Sequence, residues 1–154
     1  MKVLTVLVPT YNVEKYLRRC LDSLLLPEVL EEIEVLVVND GSKDGSADIA
    51  RAHEKKYPQT VVFVDKENGG HGSTINVGIE KAQGTYFKVL DSDDWVNIGD
   101  FIEFVKRLKE ETADAVICDY RKEHVYNGKS EYFEYKDLED GKKYNLNEID
   151  LNIL

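Results

Sequence analysis

Val3-Leu4-Thr5-Val6-Leu7-Val8, followed at once by Pro9-Thr10-Tyr11-Asn12, is the stretch from which the rest of the chain can be read. The run is short, apolar and rich in branched side chains, which predicts a strand buried on both faces. The period then changes. Val13, Tyr16, Leu17, Cys20, Leu21, Leu24 and Leu25 fall on one face of a helix that Pro27 ends, with Asn12 as its expected N-cap.

The same alternation repeats along the chain. Val35–Val38 predicts a second buried strand, followed by Asn39-Asp40-Gly41-Ser42 and a helix over Ser46–Tyr57. Val61–Val64 predicts a third strand. Gly69-Gly70 then precedes a helix over Ser73–Gln83, closed by Gly84. Tyr86–Leu90 predicts a fourth strand and Asp91-Ser92-Asp93-Asp94 follows it directly. Asp100, with Glu103 three residues on, predicts a capping box for a helix whose core stripe is Phe101, Phe104, Val105 and Leu108. Ala115–Cys118 is expected as a fifth strand.

Strand and helix thus alternate to about residue 118, the pattern of βαβ units in a mainly parallel, Rossmann-like α/β sheet flanked by helices. Two regions are expected: an α/β domain over 1–118, and a hairpin with a tail over 119–154. The hairpin, 119–126 with 130–136, turns at Asn127-Gly128. The apolar Ile153-Leu154 reads as the start of something further.

Composition narrows the function. The 154 residues carry 30 acidic and 20 basic side chains, a formal net charge of −10. That acidity excludes a general nucleic-acid binder, which needs a basic footprint on phosphates. It leaves room for an anionic small ligand bridged by a cation. Cys20 and Cys118 cannot make a disulfide framework, and both read as buried, reduced thiols. Neither a secretory leader nor a membrane-length apolar run is visible, so a cytoplasmic location is the expectation.

In open parallel sheets ligands bind outside the carboxyl ends of the strands. All four polar clusters fall there: Pro9–Asn12, Asn39–Ser42, Lys66–Gly70 and Asp91–Asp94. Asp91, Asp93 and Asp94 crowd three carboxylates into four residues, so without a counter-charge mutual repulsion should raise at least one pKa or destabilise the loop. Such a loop is either a solvated acidic turn or a seat for a hard divalent cation, Mg²⁺ or Mn²⁺. Asp40 is either an Asx-turn or an acceptor for a ligand's base or sugar. Tyr11 either stacks on a flat ring or covers the sheet edge. His71 is a turn residue or a ligand contact. Gly69, Gly70 and Gly72 at a helix start are a weak anion-binding signal, and no Walker loop or complete GxGxxG is present. His53 and His124 show no zinc spacing, and no nucleophilic triad can be placed.

Four segments together resemble the family-2 glycosyltransferases of the GT-A fold. They are Leu4–Asn12 with Glu14 and Leu17, Glu34–Ser46, Glu67–Gly70 through Asn76–Ile79, and Leu90–Trp95. They cover about residues 3–118 in the order of the family. The resemblance implies a nucleotide-sugar donor, often UDP-linked. Pro9, Tyr11 and Asp40 would contact the base, with Glu14 nearby and Thr10 in the same donor site. Lys66 and Asn68 are further donor-site candidates. Asp91, with Ser92 beside it, would face the ribose, and Asp93 would hold the divalent metal on the diphosphate. It further implies inverting transfer to an acceptor hydroxyl of a glycan, a lipid-linked glycan or a protein.

Two departures from the family stand out. Ile75 occupies a place where many relatives carry Arg. The family's catalytic base is a carboxylate well downstream, whereas Glu139 and Asp140 lie in a surface stretch flanked by Gly and Lys. The expectation is a donor-binding part whose base, acceptor region and any membrane association belong to a further C-terminal part. The competing expectation is a non-catalytic nucleotide-sugar-binding or regulatory module of the same fold.

Overall fold

The computed structural model describes residues 1–145. The end of the expected tail, Ile153-Leu154 included, lies outside them. The chain divides into two compact units, Met1–Glu111 and the residues from Thr112 onward.

The first unit is built on four parallel strands: β1 (Leu4–Thr10), β2 (Ile33–Asp40), β3 (Val61–Lys66) and β4 (Tyr86–Val89), in the order β3-β2-β1-β4. β1 and β2 are buried along their whole length, the apolar stretches Val6–Val8 and Val35–Val38 as expected, with Thr5, Thr10, Glu34, Asn39 and Asp40 buried beside them. Their side chains divide between the two faces. Val6, Val8, Val35 and Val37 pack into one core with Leu17, Cys20, Leu21 and Leu24 of helix α1 (Glu14–Leu24). Ala50 of α2 (Ser46–Lys56) and Phe101, Val105 and Leu108 of α4 (Ile98–Leu108) complete that core. Leu7, Leu36 and Val38 face the other way, toward Ile75 and Val77 of α3 (His71–Lys81). Each fully buried leucine contributes about 1.5–3 kcal/mol.

The chain runs outward from β1 through β2 to β3, then returns through α3 to place β4 on the far side of β1. The strand order therefore reverses between β1 and β4. In a sheet of this kind the crevice for a ligand opens at that point, outside the carboxyl ends of the two strands. Pro9 is tolerated in central β1 because β4 pairs only as far as Leu7, so no partner on that side wants its missing N–H.

Several local expectations are corrected. Asn12 does not cap α1: it stands at φ 52°, and Val13 occupies the N-cap position. α4 begins earlier than read, with Asn97 as its cap accepting from the Asp100 N–H, so Asp100 lies in the first turn. α3 starts at His71, because Gly70 at φ 83° turns the chain into the helix there. Gly84 does not close that helix, which ends at Lys81. Its place is a close approach: a Cβ at Gly84 would lie 2.4 Å from the Thr5 backbone nitrogen.

Ala115–Cys118 forms no strand. Val116 and Ile117 are exposed and so is Cys118, against the expectation of a buried thiol. A four-residue apolar run needs a paired neighbour to become a strand, and periodicity alone cannot supply one. The second unit's regular structure is one antiparallel hairpin, β5 (Tyr120–His124) with β6 (Lys129–Phe133). The stacked rings of Tyr120 and Phe133, 4.7 Å apart, close it. No helix among the described residues is long and apolar enough to cross a membrane.

Candidate functional site

The four clusters do gather on one rim, because every strand of a parallel sheet ends on the same side. Their chemistry differs sharply from one corner to the next.

At the end of β2, the Asp40 side chain is buried, with 3% of the residue exposed. Lys66, at the end of neighbouring β3, donates its ammonium to Asp40 Oδ1. The Gly69 N–H also donates to Oδ1, at 2.9 Å, and the Gly70 N–H donates to Oδ2 at 2.8 Å. Asn68 Nδ2 donates to the Asp40 carbonyl. Burial by itself would raise the Asp40 pKa, but the Lys66 and backbone donors outweigh it and hold the carboxyl below its ordinary value. Asp40 is thus the anion at the entrance to α3, where the sequence offered only a glycine-rich signal. Two of the four acceptor directions, both on Oδ1, are filled by Lys66 and Gly69, a third by Gly70, and one remains.

Lys66 is equally committed. Besides Asp40 it donates to the Glu67 carbonyl and to Ser73 Oγ, so all three ammonium protons have acceptors.

At the end of β1, Pro9 and Thr10 are buried, and the Thr10 hydroxyl donates to the Val8 carbonyl. Tyr11 is the first residue of the rim to emerge, half exposed at 50%. Glu14 begins α1, and its carboxylate accepts the Gly45 N–H at 2.6 Å. His71 is exposed at the start of α3.

The loop after β4 is the reverse of the Asp40 corner. Asp91, Asp93 and Asp94 are exposed and Ser92 is buried between them. A turn closed by the Asp94 N–H on the Asp91 carbonyl holds the three carboxylates together. Partial burial, then repulsion from Asp93 and Asp91, push the Asp94 carboxyl up, with Arg19 and Lys88 only partly offsetting this. The expected repulsion is therefore present. Beneath the loop, Cys20 Sγ lies 3.8 Å from the Asp91 carbonyl. Burial, reinforced by Asp94, Asp93 and Asp91, pushes its thiol up to about 12.

Among the described residues no three His, Cys, Asp or Glu side chains converge to enclose a cation. The donor set is nevertheless hard oxygen at excess negative charge, and it fits a divalent cation that takes its remaining ligands from a bound anion. A groove of about 540 Å³ lies elsewhere, between Arg18 and Arg19 of α1 and the Trp95–Ile98 segment. It contains none of the rim residues. Arg19 lies over the Trp95 ring at 3.5 Å. Glu139, in the second unit, is paired with Lys142.

The sequence placed Ser42 in a rim cluster but did not show that Ser42, Asp44 and Ser46 tie the loop after β2 to the start of α1. Their only signal was an excess of capping residue types between Asn39 and Ser46.

The family model for glycosyl transferase family 2 matches residues 5–150. The Bacillus subtilis glycosyltransferase EpsH is 40% identical over 126 residues, covering 82% of this chain and 36% of EpsH. Streptococcus pneumoniae glycosyltransferase GlyA is 38% identical over 118 residues, which are 76% of this chain and 16% of GlyA. Among solved structures, S. aureus TarS 1–349 in complex with UDP superposes with a TM-score of 0.60 at 33% identity, over 71% of this chain and 32% of that one. The Pyrobaculum calidifontis mannosyltransferase PcManGT, in complex with GDP-Man and Mn²⁺, gives 0.59 at 27% identity, over 67% of this chain and 31% of that one. The chain spans about a third of the length of EpsH and less of GlyA.

Proposed function

The chain belongs to glycosyl transferase family 2, and from that premise we propose that its rim holds a UDP-linked sugar donor together with Mg²⁺ or Mn²⁺. The whole protein would transfer the sugar to an acceptor hydroxyl with inversion. In this reading the first unit, Met1–Glu111, forms the donor-binding domain, and the residues from Thr112 onward lead toward the part that binds the acceptor.

The observation that carries the proposal is the acidic loop at the β1–β4 reversal, whose charge Arg19 and Lys88 offset only in part. No carboxylate of Asp91, Asp93 or Asp94 is drawn into an ion pair among the described residues, and Asp94 is pushed toward its neutral form. A diphosphate is itself an anion, so a carboxylate of the loop can meet the diphosphate only through a cation. The metal seen with a sugar nucleotide in the related mannosyltransferase, and the UDP held by TarS, support this assignment.

The roles follow from position. Tyr11 offers the exposed face on which a pyrimidine stacks, above a floor made by buried Pro9 and Thr10. Asp40, ionised by its internal donors, keeps one acceptor direction for the imide N–H of uracil. Lys66 and Asn68 hold Asp40 and the loop before α3 rather than reaching a phosphate. Asp91, with Ser92 behind it, faces the ribose. Asp93 holds the cation, which when bound supplies Lewis-acid stabilisation of the departing diphosphate. Transfer forms a bond from the acceptor oxygen to the anomeric carbon and breaks the bond from that carbon to the diphosphate. The acceptor's proton needs a base, and no described residue is assigned that task.

Saturation-transfer NMR with UDP, GDP and ADP in the presence of diamagnetic Mg²⁺ tests the donor class. Strong uracil and ribose signals from UDP, with the purine nucleotides much weaker, are expected. Equal signals from all three, or none, would overturn the assignment to a uridine donor.

A further inference from the structure

The loops after β1 and β2 are fastened to each other by a reciprocal set of hydrogen bonds. Three successive backbone N–H groups at the start of α1 donate to side chains about thirty residues away. Asn12 donates to Ser42 Oγ at 3.0 Å, Val13 to Ser46 Oγ at 2.9 Å and Glu14 to Asp44 Oδ2 at 3.1 Å. In return the Lys43 N–H donates to Asn12 Oδ1 at 2.8 Å, and the Gly45 N–H to Glu14 Oε2 at 2.6 Å.

The helices do not cap themselves. Val13 and Gly45, the residues at the two N-cap positions, make no side-chain capping bond. Asp44 serves both instead, its other oxygen accepting the Ser46 N–H at 3.0 Å. Burial would raise its pKa, but bonds from Ser46 and Glu14 hold the carboxyl below its ordinary value.

Asn12, at φ 52°, occupies a conformation that non-glycine residues rarely adopt. Such strain persists where the surroundings over-determine it, and here a bond from its N–H and another to its side chain do so. Tyr11 is the preceding residue, and Asp40 lies at the other end of the fastened pair of loops.

We propose that Glu14, Asn12 and Asp44 are positioning residues that hold Tyr11 at a fixed span from Asp40 and so set the width of the nucleobase slot. The proposal rests on the donor-site reading above and changes the part Glu14 plays in it. Its carboxylate is engaged by Gly45 and acts through the backbone, not on the ligand. Gly45 is part of the device, since a Cβ there would lie 2.9 Å from Glu14 Oε2.

The test compares wild type with Glu14→Ala, Glu14→Gln, Asn12→Ala and Asn12→Asp. Amide hydrogen exchange at Lys43 and Gly45 is read without nucleotide, and UDP affinity by calorimetry with Mn²⁺. Glu14→Ala should speed Gly45 exchange and weaken UDP, each by about tenfold, the worth of one bond to a charged acceptor. Glu14→Gln retains an accepting oxygen and should recover most of both losses. Asn12→Asp should likewise recover what Asn12→Ala loses at Lys43.

Unchanged Gly45 exchange in Glu14→Ala would overturn the latch itself. Faster exchange with unchanged UDP affinity would overturn its positioning role. A glutamine variant with restored exchange but the weak binding of the alanine variant would assign Glu14 to direct charge contact with the ligand. A wild type that binds no nucleotide would remove the donor-site reading and the positioning role together, while the exchange data would still decide whether the loops are latched.

Discussion

The Asp40 corner and the Asp91–Asp94 loop are both acidic ends of strands on one rim, yet they solve the problem of negative charge in opposite ways. Asp40 is buried and receives donors from Lys66, Gly69 and Gly70. The second loop places three carboxylates in solvent with no ion-paired cation among the described residues. The first is a finished structural element with one acceptor direction to spare. The second leaves its three carboxylates without an ion partner among the described residues, and in the proposed function a divalent cation completes it. An acidic residue type by itself says little about role; the donors that face it decide.

That contrast predicts opposite responses to neutralisation. Asp40→Asn should cost about 3 kcal/mol, because it leaves a mostly buried lysine and two loop amides without their acceptor. Asp93→Asn should change stability by no more than about 0.5 kcal/mol, toward stabilisation, since it relieves repulsion. Denaturant unfolding followed by the fluorescence of Trp95, the sole tryptophan, reads both in the first unit. Equal losses in the two variants would break the comparison. Lys66→Met should fall between them, at about 2 kcal/mol, since Asp40 keeps its two amide donors while losing its ion partner.

Acid should act through the same corner. A carboxyl whose folded pKa is depressed contributes stability that is complete above the unfolded value and is lost as pH falls through the folded one. Asp40 and Asp44 both lie below their ordinary values. Stability should therefore drop as pH falls below the usual aspartate range, and Asp40→Asn should flatten that slope. An unaltered slope in the variant would show that Asp40 carries none of it.

A last contrast concerns the thiol beneath the acidic loop. Cys20, buried and pushed up to about 12, should alkylate at least about 100-fold more slowly than exposed Cys118 at mildly alkaline pH. Asp93→Asn should speed Cys20 by only about twofold, because burial is the larger cause and repulsion the smaller. Mass spectrometry of the alkylated protein separates the two sites.

What could be read from sequence divides along the same physical line. β1 and β2 were legible because burial on both faces leaves a continuous apolar run. The acidic loop was legible because its crowding is local: three carboxylates within four residues repel wherever the loop sits. The sequence alone does not separate a turn from a ligand contact at Asp40, because its partners, Lys66 and Gly69-Gly70, are more than twenty-five residues away. The cap of α1 was misassigned to Asn12 for the same reason, since the groups that satisfy its amides come from Ser42, Asp44 and Ser46. Ala115–Cys118 failed differently. A short apolar run carries the composition of a strand but not the partner that makes one.

The most direct test of the account is calorimetric titration of UDP into wild type and Asp93→Ala, each with and without Mn²⁺. Binding by wild type should require the metal, and Asp93→Ala should lose at least about 30-fold in affinity, the scale for removing one member of a close charge pair. UDP binding of equal strength without metal, or in Asp93→Ala, would contradict the claim that the acidic loop is completed by a cation.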